Sequence, residues 1–504
     1  MSNEWVVLSR SENQARGIGQ YAVDFLSGKL GDPHQSVFDK TEQFHLDSIA
    51  CGVSALACGA NAPKVLRQEA ADYACAAGQG VPLFGSRAKV MPEKAVVANS
   101  SAVREWDSNG TNFGYNPARG ATKGEFGHND FYPVAVAAAQ LAGFDGRQTL
   151  RAMILLDEIR GRLAEVFALK NHKIDHVVHG AIGSAATFGA ALGATPEQIE
   201  SAIGLVVAHY IPFRAIRAGK QLSDSKGASA AISSEVAVLS MRRAMRGFVG
   251  PADIFRNPEA IFCLFEKPDD AETSPFDLAL AASGDDFAVM GMHFKLGLYE
   301  HQSAGAIQGL MDLLTKHPEL LSDPAKITSL RITIYEPAFG IIGDPAKRDP
   351  RTRQSADHSM VYIVATLLRK ALQLKQAGWR ELMLVPADYD EPALFDPLTR
   401  QLMERIEFRH GGKQYDEKYP DGIPTTLEIE HADVGSVSSG LVMYPEGHAR
   451  NTSGNLPSLL EHKFRTLAGL GVGDVDALYG RFTGMAEKSA AEIAELYDFE
   501  ISGL

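Results

Sequence analysis

Cysteine is scarce: Cys51, Cys58, Cys75 and Cys263 are the only four in 504 residues, and no two stand as C-x-x-C. That spacing supports neither a disulfide framework nor a zinc site, and it weighs against an iron–sulfur cluster, which needs several thiolates together. Positive charge is also in deficit, 49 Lys+Arg against 62 Asp+Glu, for a formal net charge of −13. A nucleic-acid or anionic-membrane partner requires a basic face and is therefore not expected. A small anionic substrate stays open, because a local cluster of Lys, Arg and His reverses the potential inside one cleft. Long apolar runs are missing as well. Residues 181–194 are rich in Ala and Gly but too short and interrupted to span a bilayer. Met1-Ser2-Asn3-Glu4-Trp5 lacks a basic region followed by an apolar stretch, so the expected location is cytoplasmic and reducing. The motifs G-x-x-x-x-G-K-[ST], H-E-x-x-H and G-x-S-x-G do not occur, and Gly17-Ile18-Gly19 lacks the third glycine of a dinucleotide loop.

What is present is the composition of a globular protein, 45% apolar and 22% charged, long enough for more than one core. The first half reads as helical. Phe44, Ile49, Val53 and Leu56 share a face, and residues 148–169 repeat apolar positions at helical spacing. Thr195-Pro196-Glu197-Gln198 is a helix start, with a Thr cap, Pro in the first turn and Gln three residues on. Asp130 is expected to cap a helix that Gly143 stops. Gly180, Gly183, Ala186, Gly189 and Ala190 let helices approach closely. After about residue 280 the pattern changes. Residues 330–335, 406–409, 426–430 and 436–444 alternate as strands, with a turn at Pro420-Asp421-Gly422 and helices near 302–315 and 355–375. Three helices follow, at 457–467, 475–482 and 485–496. The expected class is α plus α+β: a helical domain over 1–282, an inserted α+β lid over 283–446, and C-terminal helices over 447–504 that return to the helical domain.

Polar islands interrupt this apolar frame. They are Trp106-Asp107-Ser108-Asn109-Gly110-Thr111 with His128, Asp175-His176, Arg214 to Lys220 with Ser223 to Ser229, His293-Phe294-Lys295 with His301, His358 to Tyr362, and Tyr444 to Arg450. Each alone has a structural explanation. Asp107 could cap a helix, Asp175 could merely orient His176, Lys226 could lie on a solvated face, and Tyr362 at helical spacing could be core. Together they offer His for proton transfer, Lys and Arg for carboxylates, and Tyr as a weak acid.

In order and surroundings these islands resemble the MmgE/PrpD family, from HLDSIACG (45–52) through DSNGT, IDHVV, DSKGASAA, FKLGLYEHQSA and ADHSMVYIVATLL to YPEGHAR (444–450). The resemblance implies a homodimeric lyase needing no cofactor and no metal, with its site between a helical domain and an α+β lid. It implies catalytic His128, His176, Lys226, Lys295 and Tyr362, with Asp107, Thr111 and His301 against the substrate. Arg217 and Lys220 join them as carboxylate binders on charge alone. The activity implied is dehydration of the tricarboxylate 2-methylcitrate, with citrate a related substrate, in propionate catabolism. The alternatives are cis-aconitate decarboxylation, another polycarboxylate lyase or epimerase, and a non-catalytic scaffold. Three departures stand out. Gly110 replaces a frequent second Asp, the segment between Thr111 and His128 is long, and Val177 follows His176 where the decarboxylase branch tends to show Pro.

Overall fold

A computed structural model describes residues 4–76, 78–127, 129–217 and 221–504; His128 and Lys220 lie outside the described residues. The chain is mostly helical with small sheets. Helix Asp224–Met245 packs against Pro92–Arg104, Val177–Ala191 and Pro196–His209, forming the centre of the helical part. Small residues make this packing possible. A Cβ on Gly183 would stand 2.9 Å from the Leu156 carbonyl oxygen, and one on Gly189 would stand 2.5 Å from the Met241 sulfur. The Thr195 start is a reciprocal capping box with Gln198, and Asp145 forms another with Gln148.

Asp130 does not cap the helix that follows it. Helix Tyr132–Ala142 has Phe131 at its N-cap with no side-chain bond, because Asn129–Phe131 is a 3-10 turn that leads Asp130 inward toward Arg104, 3.8 Å away. Gly143 ends the helix as expected, in the left-handed region at φ +72°. One pairing was invisible locally: Trp5–Leu8 runs antiparallel to Leu278–Ala281, tying the start of the chain to the end of the helical part.

The sheet-bearing part has strand order Gly435–Ser438, Thr425–His431, Ile327–Ile334, Ile406–His410, with only the last pair parallel. Ile327, Leu330, Ile332 and Ile334 all turn to the buried face, each worth about 1.5–3 kcal/mol of burial. Helix Ala304–Lys316 lies on this sheet at Gly305, where a Cβ would meet Thr425 Oγ1 at 2.4 Å. The strand expected through residue 444 stops at Ser438. The last helix expected, 485–496, is broken into Met485–Glu487 and Ala490–Ala494 by a new cap at Ser489. Helix Leu456–Ala468 packs on Gln35–Ala57, so the tail lies against the helical part. Among the described residues no single helix is long and apolar enough to cross a membrane.

Candidate active site

A cleft of about 140 Å³ gathers Asp107, Thr111, His176, Lys226, Lys295 and His301 from segments far apart in sequence. Its described lining holds six Lys or Arg side chains against two carboxylates, the reverse of the chain's overall −13. Four lining residues, His176, Lys226, Gln302 and His358, stand at or beside the starts of helices Val177–Ala191, Asp224–Met245, Ala304–Lys316 and Met360–Leu374. Helix N-termini and unbalanced cations together favour an anionic occupant.

The loop carrying Asp107 and Thr111 is held at nearly every residue. Asn109 Nδ2 donates to the Val103 carbonyl (2.8 Å), closing helix Pro92–Arg104, and Ser108 Oγ donates to the Gly297 carbonyl (2.8 Å). The Gly110 N–H donates to Asn129 Oδ1 at 2.9 Å, and Thr111 exchanges two 3.0 Å backbone bonds with His293. A side chain at 110 has no room: a Cβ would lie 2.4 Å from the Phe44 ring, which stacks on Phe294 at 3.9 Å. This explains why Asp is absent there. Thr111 Oγ1 is buried, lines the cleft and has no hydrogen-bond partner among the described residues.

Asp107 is the electrostatic hub. One carboxylate oxygen contacts Lys295 Nζ; the other lies 2.8 Å from His358 Nε2 and 3.5 Å from Lys226 Nζ. Asp357 repeats the pattern, 3.2 Å from Lys226 and 2.8 Å from His358 Nδ1. Burial pushes the Asp107 carboxyl up, but Lys295, His358 and Lys226 outweigh it and hold it well below the usual range. Asp107, expected to bind substrate, lines the cleft, and its oxygens hold Lys295, Lys226 and His358 in place there. Burial brings the Lys226 ammonium down to about 8 against the pull of Asp357 and Asp107, and lowers Lys295 as well. Asp107, Asp357 and His358 stand close enough to hold a metal ion. The two ammonium groups beside these carboxylates already neutralise them, so the set does not fit a divalent cation.

His176 stands at the N-cap position of its helix without a side-chain cap bond, and its Nδ1 lies 3.4 Å from Asp175 Oδ1. Burial keeps this imidazole well below its ordinary pKa, with Asp175 opposing. His301 is also buried and lowered by burial and then by Lys295, and neither ring nitrogen has a hydrogen-bond partner among the described residues. It is backed by His293 at 5.2 Å, itself stacked on His448 at 3.9 Å, which is what the YPEGHAR segment contributes.

Arg217 and Tyr362, the remaining described residues expected at the site, are placed differently. Arg217 lines the cleft as expected, with its guanidinium oriented by Asp175 and by Ser229 Oγ (3.1 Å). Tyr362 is not in the cleft. Ser359 caps helix Met360–Leu374, so residue 362 falls in the first turn facing the core, and its hydroxyl donates to the Asp388 carbonyl at 2.6 Å. Tyr362→Phe is expected to lose about 1–2 kcal/mol of stability in a urea melt while turnover stays near wild type; a collapse of kcat with an unchanged melt would restore Tyr362 to the chemistry. The sequence pointed to the island of His358, two residues before the helix that buries Tyr362, without giving that histidine a role, and it passed over Lys463, which donates to Asp47, to the Ser108 carbonyl (2.7 Å) and to the Lys295 carbonyl (2.8 Å).

Two family models match this chain. The MmgE/PrpD N-terminal domain matches residues 19–274 and the MmgE/PrpD C-terminal domain matches residues 299–478, and the chain belongs to the MmgE/PrpD family. Among its relatives are proteins named 2-methylcitrate dehydratase. Those of Salmonella typhi and Salmonella typhimurium are each 24% identical over 445 residues, covering 85% of both chains. That of Escherichia coli strain K12 is 24% identical over 444 residues, again 85% of both. These relatives mark the chain as a dehydratase-like lyase.

Proposed function

We propose that the protein dehydrates 2-methylcitrate, or a closely related tricarboxylate, to the corresponding cis-alkene acid. The observation that supports this reading best is the convergence of Lys226, Lys295, His176 and His301 on one small cationic cleft. The proton to be removed sits beside a carboxylate and is poorly acidic until the developing charge is neutralised. Lys295 and Lys226 supply that neutralisation from fixed positions out of water. His176, neutral at physiological pH, takes the proton from carbon, and the Asp175 carboxylate steadies the imidazolium. Lys226, brought down to about 8, gives a proton to the departing hydroxyl, which leaves as water. The imidazolium then returns its proton to solvent and the amine regains one. His301 and Thr111 present unpartnered polar atoms for the substrate's own oxygens.

The pH profile tests this assignment. Lys226 must be protonated, so kcat falls as pH rises through about 8. Asp357 raises the Lys226 pKa, so Asp357→Asn moves this alkaline limb to lower pH. His176 and His301 are held neutral, so neither is expected to give an acid limb near the ordinary histidine value of about 6.5. An alkaline limb that ignores Asp357→Asn would remove Lys226 from the proton-donor role.

A further inference from the structure

Six cationic side chains line the described cleft, and four have a carboxylate beside them. Arg104 lies 3.8 Å from Asp130, Arg217 is on Asp175, and Lys226 and Lys295 share Asp107. Arg214 and Lys347 have no carboxylate at ion-pair distance among the described residues. They face the cleft from opposite parts of the chain. Arg214 opens the 3-10 turn Arg214–Arg217 in the helical part, where its N–H donates to the Lys173 carbonyl at 2.8 Å and the neighbouring Phe213 bridges Ile174. Lys347 ends the turn Pro345–Lys347 beyond the first long strand of the sheet-bearing part, and its carbonyl accepts from Ser359 Oγ at 2.7 Å. Glu300, the acid on the lining that acts on Lys347, is engaged by the Gln302 N–H (2.7 Å) and Ser303 Oγ, while Glu125 and Asp175 act on Arg214 only from beyond ion-pair distance. Both backbones are thus anchored while both charges are left partly buried with no direct ion pair among the described residues. That arrangement is costly unless a ligand supplies the anion.

We infer that Arg214 and Lys347 form a two-sided clamp on those substrate carboxylates that take no part in the elimination. This rests on the tricarboxylate reading above and adds how the number of carboxylates is sensed. Each clamp residue makes a charge-assisted bond that a ligand with one carboxylate fewer cannot complete. Because the two residues belong to different parts of the fold, a bound tricarboxylate also bridges them. Burial lowers the Lys347 ammonium, with Glu300 opposing, as expected of a cation awaiting its anion.

The test is calorimetric binding of propane-1,2,3-tricarboxylate, which has no hydroxyl to lose, and of glutarate, which has one carboxylate fewer. Wild type, Arg214→Gln and Lys347→Gln are compared, each checked by thermal melt. Each variant is expected to weaken the tricarboxylate about 10-fold or more, to weaken glutarate less, and to melt like wild type. Arg214→Lys is expected to recover part of the loss. Variants that bind the tricarboxylate as wild type does, or that lose both ligands equally, would overturn the clamp, as would a wild type that binds neither. Clamp-dependent binding in a protein that fails to dehydrate 2-methylcitrate would keep the clamp and reject the proposed reaction, so the two failures are distinguishable.

Discussion

Lys226→Met is expected to lower turnover of 2-methylcitrate on the order of 10²–10³-fold, the usual cost of removing a preorganised charge from a developing oxyanion. The loss should fall on kcat more than on KM, because the charge it answers exists chiefly in the transition state. The variant should still fold. Asp107 keeps Lys295 and His358 as partners, and Asp357 keeps His358 and Arg353 (3.2 Å). Lys226→Arg is not expected to rescue it, since a planar guanidinium does not fit a buried position built for a point charge 3.2 Å from Asp357. Steady-state kinetics beside a thermal melt decide the matter. Near-wild-type kcat in Lys226→Met would remove the lysine from the reaction, and unfolding would show its role to be structural.

Lys463→Met carries the largest expected effect on stability, about 3–5 kcal/mol. Its ammonium is buried in helix Leu456–Ala468 and joins three segments: Asp47 on helix Gln35–Ala57, Ser108 beside Asp107, and the backbone of Lys295. Without it the Asp47 carboxylate keeps, among the described residues, only the Asn129 Nδ2 contact at 3.2 Å, and a buried charge is left nearly alone. Adding Asp47→Asn should restore part of the stability by removing that charge. Activity should fall with both, since Asp107 and Lys295 lose their common anchor. Urea denaturation of the two variants measures this, and a wild-type midpoint in Lys463→Met would show that the three segments hold without it.

These two lysines show what sequence could and could not display. Lys226 was legible through the resemblance of DSKGASAA to the family's first lysine segment, since on its own it could have lain on a solvated face. Lys463 was not: in EHKFRTLA it reads as one of several charges on an amphipathic helix, and only packing against Gln35–Ala57 buries it. Arg214 and Arg217 lie one helical turn apart and look equivalent in sequence. What separates them is that Asp175 reaches one of them. His358 and Tyr362 were read as one island, yet the Ser359 cap between them sends His358 to the cleft and Tyr362 to the core. The strands at 327–334 and 425–431 were readable because each buries one face, so alternation survives in the residues. The pairing of Trp5–Leu8 with Leu278–Ala281 depends on a contact across the whole helical part, for which local pattern holds no signal.

The most direct measurement of the central claim is a chelator-treated incubation with 2-methylcitrate, citrate and cis-aconitate in parallel, following alkene absorbance and released CO₂. The account predicts alkene from 2-methylcitrate, little or no CO₂ from cis-aconitate, and loss of the alkene signal in Lys226→Met. Release of CO₂ from cis-aconitate without alkene from 2-methylcitrate would contradict it, and would assign the same lysines and histidines to decarboxylation.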